Sequence, residues 1–401
     1  MASYFLISLI SYIVSSFFIA DIGIIIILIS IIGTFTSRNL VVMIFSLMNI
    51  FLGHAFFNYI DQGNPFVFYY SNGIEIEYLA KVTFSVINII YFLDYKYTNY
   101  NFHSLNFKIK TYQINQKFFF PIFFIIFFTA MFLFLKEINV FSEGFNKLEL
   151  EKFSFLEYLS ILIFFLFASI REKKTNYLLA IFVVSFLIIV SLLSSFRLVA
   201  IIYSLSLFFC MSKENTTNRL LFLFFTLVGG YVVSVIGLYR GGIPSADLLS
   251  LVGYKNGILD NTFTGIIETA LIYSSSSTEQ NIFQNIKFLI GVILPLPNSL
   301  IPDDFLYYKE IYTKHFGRIP GGGLLSGFII YFNYLLVPFI LFYFHYAFKH
   351  AKDNKHSAAM YYIILVTLPR WWLYGPYVLF KFLSFYFVVY IITQSILKNE
   401  T

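Results

Sequence analysis

Long apolar runs separated by short polar connectors recur along almost the whole chain. In lipid the backbone must satisfy its own hydrogen bonds, and a long apolar run does so as an α-helix. The pattern predicts twelve spanning helices, several of them shorter than the usual length of about 20 residues. The predicted spans are 4–20, 22–36, 40–59, 78–93, 118–135, 156–170, 177–193, 198–211, 220–238, 324–348, 358–369 and 377–397. We therefore expect an all-α, polytopic membrane protein.

One long region does not follow this pattern. Residues 239–323 carry charges of both signs, a serine run and a proline cluster, and they cannot be written as spans with short connectors. This region predicts a large, partly helical loop outside the membrane, in which the apolar stretch 286–294 is too short to cross. The loop separates nine spans in residues 1–238 from three in residues 324–401, and together they form one integrated membrane domain.

Composition supports membrane insertion. The chain is 59% hydrophobic and 12% charged, whereas a soluble protein carries about 25% charged residues. Cys210 is the one cysteine, so no disulfide forms within the chain. The apolar start at 4–20 lacks a basic region before it and continues into the next run, so we interpret it as the first span rather than a signal peptide.

The basic residues orient the predicted spans. Twelve spans place 14 basic and 5 acidic residues on one side, and leave 13 basic and 16 acidic residues for everything else. The basic side is expected to face the cytoplasm. Both termini are then cytoplasmic, and the loop at 239–323 lies on the outer face. Because the net charge of +6 follows the loops, it does not indicate nucleic-acid binding.

Four arginines depart from this charge distribution, because they lie on the outer side near the membrane surface. They are Arg197, Arg240, Arg318 and Arg370. A guanidinium group donates in a planar, bidentate manner and suits phosphate oxygens. We expect these arginines to form a shared anion site for a lipid-linked pyrophosphate. The alternative is that each one reaches lipid headgroups or caps a helix end.

Glycines follow two of these arginines. Gly241 comes directly after Arg240, and Gly322 lies a few residues after Arg318. Glycine lets the backbone approach a ligand, and successive N–H groups can cradle an anion. A flexible junction between loop and helix is the alternative interpretation. The chain has no P-loop and no dinucleotide-binding fingerprint, so we expect no nucleotide site and no cofactor.

The outer region also offers acid–base candidates. His315 lies near Arg318, and an imidazole titrates near operating pH. Glu268 is the carboxylate we select, with Asp303, Asp304 and Glu310 as further acidic candidates. The alternatives are a surface histidine without a role and solvated loop charges. No spacing of acids or histidines predicts a metal site.

Two kinds of side chain within or between spans are also candidates. Trp371 and Trp372, between the last two spans, are expected to stack on sugar rings at the outer surface or to form an interfacial aromatic belt. His54 lies inside the third span, where a buried polar residue is a functional candidate by default. A histidine satisfied by a neighbouring helix is the alternative.

The chain resembles the O-antigen polymerase (Wzy) family in its plan and in three short motifs. The plan is a dozen aromatic-rich spans with a large outer loop before the last few. Residues 194–198 read Ser-Ser-Phe-Arg-Leu, Tyr239 precedes Arg240 at the start of the loop, and residues 321–326 read Gly-Gly-Gly-Leu-Leu-Ser. Gly327 stands where family members often have an acidic residue.

The resemblance implies a reaction and a location. A growing glycan on undecaprenyl pyrophosphate is transferred to a new lipid-linked repeat unit at the outer face of the bacterial inner membrane, with undecaprenyl pyrophosphate as leaving group. Arg240 and Arg318, with His315 and Glu268, are then expected to be catalytic. Arg197, Arg370, Gly241, Gly322, Trp371 and Trp372 are expected to bind the pyrophosphate or sugars. A chain-length regulator is an expected partner.

Three other functions remain open at this stage. An O-antigen ligase uses the same donor but transfers the glycan to a lipid A-core acceptor. A flippase or transporter for the lipid-linked unit usually shows repeated halves and charges near the bilayer midplane. A polysaccharide acyltransferase requires an early or cytoplasmic histidine, for which His54 and His103 are available.

Overall fold

The computed structural model describes ten segments of the chain and a few single positions between residues 283 and 302. The segments are 22–37, 39–62, 73–97, 114–140, 156–170, 174–193, 197–211, 336–350, 354–373 and 377–398. Every regular element within these segments is helical. The prediction of an all-α chain is confirmed for this part of the sequence.

Eleven α-helices occupy the described segments. They are α1 Ile22–Thr36, α2 Leu40–Gln62, α3 Gly73–Tyr97, α4 Phe119–Val140, α5 Leu159–Ala168, α6 Lys174–Leu193, α7 Arg197–Met211, α8 Leu336–His350, α9 Lys355–Val366, α10 Leu368–Leu373 and α11 Tyr377–Lys398. A single 3₁₀ turn, Gln116–Phe118, leads into α4.

The helix bounds follow the apolar runs closely. Helix α1 coincides with the predicted run at 22–36, and most other described helices differ from their runs by a few residues, whereas the first twelve residues of the run at 324–348 lie outside the described residues. The predicted spans at 4–20 and 220–238, and nearly all of the loop at 239–323, lie outside the described residues. In the described part, two helices are long and apolar enough to cross a membrane, Gln116–Leu135 with mean hydropathy 2.6 and Lys174–Leu192 with 2.3.

Helices α1 and α2 pack at very short range through two glycines. A Cβ atom added to Gly23 would lie 2.5 Å from the backbone nitrogen of Phe57 and 2.8 Å from the carbonyl oxygen of Gly53. A Cβ atom added to Gly53 would lie 2.9 Å from the carbonyl oxygen of Gly23. Small residues allow such close approach, which is the usual way for helices to pack in lipid.

The remaining helices pack around α7 and α9. Helix α7 contacts α5, α6, α9 and α10, and α9 contacts α2, α8 and α11. The core between them is rich in fully buried aromatic rings. Tyr362 of α9, for example, lies with its ring centroid 4.8 Å from that of Phe164 on α5. Large rings therefore hold the late helices against the middle of the chain.

Helix α4 exposes a long apolar stripe. Phe120, Phe124, Phe128 and Phe132 follow one another at intervals of four residues, which places them on one helix face, and Phe128 is 65% exposed. Exposed apolar rings at this density require contact with lipid or with another protein, because contiguous apolar patches are rare on soluble monomers.

Two positions differ from the predicted pattern. The predicted span at 358–369 is interrupted, because α9 ends at Val366 and α10 begins at Leu368. Pro369 has no N–H group to continue the hydrogen-bond ladder of α9. The side chain of His54, a candidate inside the third predicted span, is exposed on α2. Its neighbour Gly53 faces α1, and adjacent residues are about 100° apart around a helix.

The glycine contact predicts the effect of an added methyl group. Gly23→Ala places a Cβ against backbone atoms that cannot rotate away, and overpacking of this kind typically costs about 1–3 kcal/mol. We expect a lower midpoint for heat-induced loss of the monodisperse peak in size-exclusion chromatography in detergent. Leu28→Ala on the same helix removes a 55% exposed side chain and is expected to change the midpoint less. Equal midpoints for the two variants would contradict this contact.

Candidate functional site

The candidate site is built on the break between α9 and α10. The Thr367 hydroxyl donates to the carbonyl oxygen of Ile363 at 2.6 Å, and the Thr367 carbonyl accepts from the backbone N–H groups of Arg370 and Trp371 at 2.8 and 2.9 Å. The Trp371 indole N–H donates to the carbonyl oxygen of Ile364 at 3.0 Å. Carbonyl groups near the end of α9 thus accept hydrogen bonds from residues at the break.

Both indoles point into the core. Trp371 is 0% exposed and Trp372 is 2% exposed. The Phe45 ring of α2 lies 4.6 Å from Trp372 and 6.1 Å from Trp371 between centroids, and Phe344 of α8 lies 5.2 Å from Trp371. The expectation that these indoles lie at the outer surface, either as sugar-stacking rings or as an aromatic belt, does not fit this placement. Both indoles follow the interruption at Thr367, and the bond from the Trp371 indole to the Ile364 carbonyl holds that ring against the end of α9.

Arg370 lies at the same break and forms an ion pair across the bundle. Its Nε atom is 3.2 Å from Oε2 of Glu157, which lies just before α5. The Arg370 side chain is 22% exposed and the Glu157 side chain 12% exposed. Such a pair is only partly screened by solvent, and removal of one partner leaves a charge in a poorly solvated position.

The backbone around Glu157 is held on several sides. The Ser160 hydroxyl donates to the carbonyl oxygen of Glu157 at 2.9 Å. The Tyr203 hydroxyl of α7 donates to the carbonyl oxygen of Leu156. The neighbouring Tyr158 ring lies 5.0 Å from Phe382 of α11, measured between centroids. The position of the Glu157 backbone is therefore set by α5, α7 and α11 together.

In the part of the chain that the structure describes, this arrangement places a partly accessible guanidinium group beside a carboxylate at one end of the bundle. A guanidinium group has five N–H donors in a planar fork that matches a phosphate group. A carboxylate within 4 Å competes for the same donors. Arg370 can therefore bind an anion at this end, in competition with Glu157. When the Glu157 carboxylate is not paired with Arg370, it can take part in proton transfer.

The other predicted site residues fall into two groups. Arg197 begins α7, and α7 packs against α10, the helix that carries Arg370. The backbones of these two arginines thus belong to helices in contact. The remaining predictions lie outside the described residues and stay predictions: Arg240, Arg318, His315, Glu268, Gly241 and Gly322.

Glu157 was not among the candidates from the sequence. Its position directly at the start of an apolar run is a usable signal, because an acidic residue is unfavourable at a membrane boundary unless it has a partner. The partner, however, lies 213 positions later in the chain. The packing of α7 against both α5 and α10, and of α5 against α11, brings the two side chains together.

A second polar cluster lies where α1, α2 and α3 meet. The Ser37 hydroxyl donates to Oδ2 of Asp94 at 2.8 Å, and Asp94 is 1% exposed. The Tyr361 hydroxyl of α9 donates to Oδ1 of Asn39 at 2.6 Å. These bonds tie the turn between α1 and α2 to α3 and α9, and we interpret them as structural.

Basic and aromatic groups surround the start of α9. The Lys355 ammonium group donates to the Tyr390 hydroxyl at 2.6 Å, and Nδ1 of His356 lies 3.1 Å from the Tyr386 hydroxyl. Burial and the nearby Lys355 charge lower the pKa of His356, which favours a neutral imidazole at pH 7. Among the described residues no group of three His, Cys, Asp or Glu side chains converges as metal ligands would.

Comparison with known proteins adds no relative. No protein-family model, no curated protein and no solved structure matches this chain. The resemblance described above therefore depends on the overall plan and the short motifs. Support for a function comes from the residues and their contacts.

The indole bond at the helix break predicts a difference between the two tryptophans. Trp371→Phe leaves the Ile364 carbonyl without its indole donor, and such a loss costs about 1–3 kcal/mol when the group is buried. Trp372→Phe makes the same change in ring size but leaves that bond in place. We expect a larger fall in the thermal midpoint for Trp371→Phe, measured in detergent. A larger fall for Trp372→Phe would contradict a role for the bond.

Proposed function

We propose that this protein is a multi-pass protein of the bacterial inner membrane with about twelve spans and both termini in the cytoplasm. The exposed aromatic stripe on α4 supports this proposal, because lipid is the simplest surrounding that removes those rings from water. Leu178 and Phe182 of α6 add a second exposed apolar face, since they are 56% and 61% exposed. Two adjacent helices thus present apolar side chains outward while their other faces are buried.

Contacts between distant residues support the same arrangement of the spans. Ser37 and Asp94, which are in contact, both belong to connectors that the charge distribution assigns to the cytoplasmic side. Glu157 and Arg370, which are also in contact, both belong to the opposite side. A count wrong by one span between such residues would assign contacting residues to opposite membrane faces.

We propose that the protein polymerises lipid-linked oligosaccharide repeat units into an O-antigen or capsule-type polysaccharide at the outer face of this membrane. The observation that carries the proposal is a partly buried arginine, Arg370, at an end of an apolar bundle that the charge distribution predicts to be the outer one. A carrier lipid would lie along the apolar exterior, and its pyrophosphate would then lie at the depth of this guanidinium group. The donor is already activated by its pyrophosphate, so the reaction needs no nucleotide site.

The proposed chemistry assigns roles to the outer arginines. Transfer breaks the bond between the sugar anomeric carbon and the pyrophosphate oxygen, and negative charge grows on the leaving pyrophosphate. Positioned guanidinium groups stabilise such charge more strongly in the transition state than in the bound donor, which is the condition for catalysis. We assign this role to Arg370 and Arg197, together with Arg240 and Arg318 from the long loop. His315 and Glu268 remain the loop candidates for proton transfer, and a chain-length regulator remains a proposed partner.

A ligase shares the donor chemistry and differs only in the acceptor. The glycan pattern of cells separates the two functions. Loss of a polymerase leaves single repeat units on the lipid A-core, whereas loss of a ligase leaves none. A transporter of the lipid-linked unit would move the donor without joining repeat units, so purified protein would form no polymer from it.

The test is a gel of cell-surface glycans from a strain that lacks the gene and carries single variants. We expect the long-chain ladder to be lost in the deletion and restored by the natural sequence. Arg370→Ala is expected to abolish the ladder at normal protein level, and Arg370→Lys to restore it only in part, because an ammonium group lacks the planar fork. Arg240→Ala and Arg318→Ala are expected to behave like Arg370→Ala.

Lys355→Ala is the matched control for these variants. It removes one positive charge and one hydrogen bond, to Tyr390 at 2.6 Å, at the opposite end of the bundle. We expect a normal ladder from this variant. A ladder that persists in the deletion strain, or full activity of Arg370→Ala, would contradict the proposal.

A further inference from the structure

We propose that Glu157 is the counter-ion that the donor pyrophosphate displaces from Arg370, and that the released carboxylate accepts the proton of the attacking sugar hydroxyl. This inference rests on the function proposed above. It gives the Glu157–Arg370 pair a role in coupling donor binding to acceptor activation. The accessibility, the anchoring and the charges of the pair support this role.

An incoming anion has better access to Arg370 than to Glu157. The Arg370 side chain is 22% exposed, whereas that of Glu157 is 12% exposed. An anion that approaches the end of the bundle therefore meets the guanidinium group first. A pyrophosphate offers several charged oxygens, and a guanidinium group binds two of them side by side.

Charge then separates the two anions. Glu157 Oε2 lies 3.2 Å from Nε of Arg370, so a pyrophosphate on the same guanidinium group would lie within a few ångströms of the carboxylate. Like charges at that distance repel strongly where solvent is partly excluded. The Glu157 carboxylate, which does not bind the pyrophosphate, is then expected to move away from the guanidinium group.

Anchoring limits this movement to the Glu157 side chain. The carbonyl oxygens of Glu157 and Leu156 accept from Ser160 and Tyr203 respectively, so the backbone stays in place. The carboxylate is connected to that backbone by a side chain with three rotatable bonds. A rotation of the side chain is therefore enough to separate it from Arg370 without movement of α5.

The resulting proton transfer balances with the glycosyl transfer. The acceptor hydroxyl oxygen forms a bond to the anomeric carbon of the donor sugar, and its proton passes to the Glu157 carboxylate. The bond from that carbon to the pyrophosphate oxygen breaks, and its electron pair leaves with undecaprenyl pyrophosphate. Glu157 then returns its proton to water and pairs again with Arg370 when the pyrophosphate departs.

The closing experiment measures binding and turnover on the same purified protein in lipid nanodiscs. Undecaprenyl pyrophosphate is the binding probe, and a lipid-linked repeat unit is the turnover substrate. Glu157→Gln removes the competing charge, so we expect it to bind the probe more tightly by about 10- to 150-fold, the range of one charge-assisted hydrogen bond. The same variant is expected to lose turnover by about 100-fold or more, because it has no base.

Two further variants separate this role from a structural one. Glu172→Gln, in a connector predicted to be cytoplasmic, removes one carboxylate and is expected to change neither binding nor turnover. The double variant Glu157→Arg with Arg370→Glu restores an ion pair in which the two charges have exchanged positions. We expect it to recover thermal stability relative to Glu157→Arg alone, yet to remain inactive.

The possible results are distinct. Tighter binding together with lost turnover in Glu157→Gln supports the inference. Unchanged or weaker binding, retained turnover in Glu157→Gln, or recovered turnover in the reversed pair would overturn it while the polymerase function stands. If the natural protein neither binds the probe nor forms polymer, the proposed function itself fails, and the inference fails with it.

Discussion

The ion pair between Arg370 and Glu157 depends on one backbone feature, the break that Pro369 imposes after α9. Arg370 comes directly after Pro369, in the short helix that follows the interruption at Thr367. At the break, the Thr367 carbonyl caps the next turn and the Trp371 indole donates to the end of α9. The charged end of the bundle is thus an outcome of local hydrogen bonding as much as of long-range packing.

The apolar interior explains why this pair is placed so firmly. The Phe45 ring of α2 packs against both indoles at the break, and the Phe344 ring of α8 packs against Trp371. Outward-facing rings on α4 have no such function in the core, which fits a lipid surrounding. The same sequence property, a high aromatic content, therefore serves two different environments.

Hydropathy predicted the existence and bounds of the described helices well, because an apolar run in lipid has few alternatives to a helix. Helix α1, for example, coincides with the run at 22–36. Hydropathy could not predict which faces of these helices meet. The inward orientation of Trp371 and Trp372, the exposure of His54 and the pairing of Glu157 all follow from three-dimensional packing. The arginine pattern nevertheless selected Arg370, since a basic residue is uncommon on the side that the charge distribution predicts to be outer.

The central claim is that a lipid pyrophosphate binds to Arg370 at the outer end of the bundle. An experimental structure of the protein in nanodiscs with undecaprenyl pyrophosphate tests it most directly. The account predicts pyrophosphate oxygens about 2.7–3.2 Å from the Arg370 guanidinium nitrogens, with the Glu157 carboxylate moved out of contact. A pyrophosphate bound elsewhere, with the Glu157–Arg370 pair intact, would contradict the account.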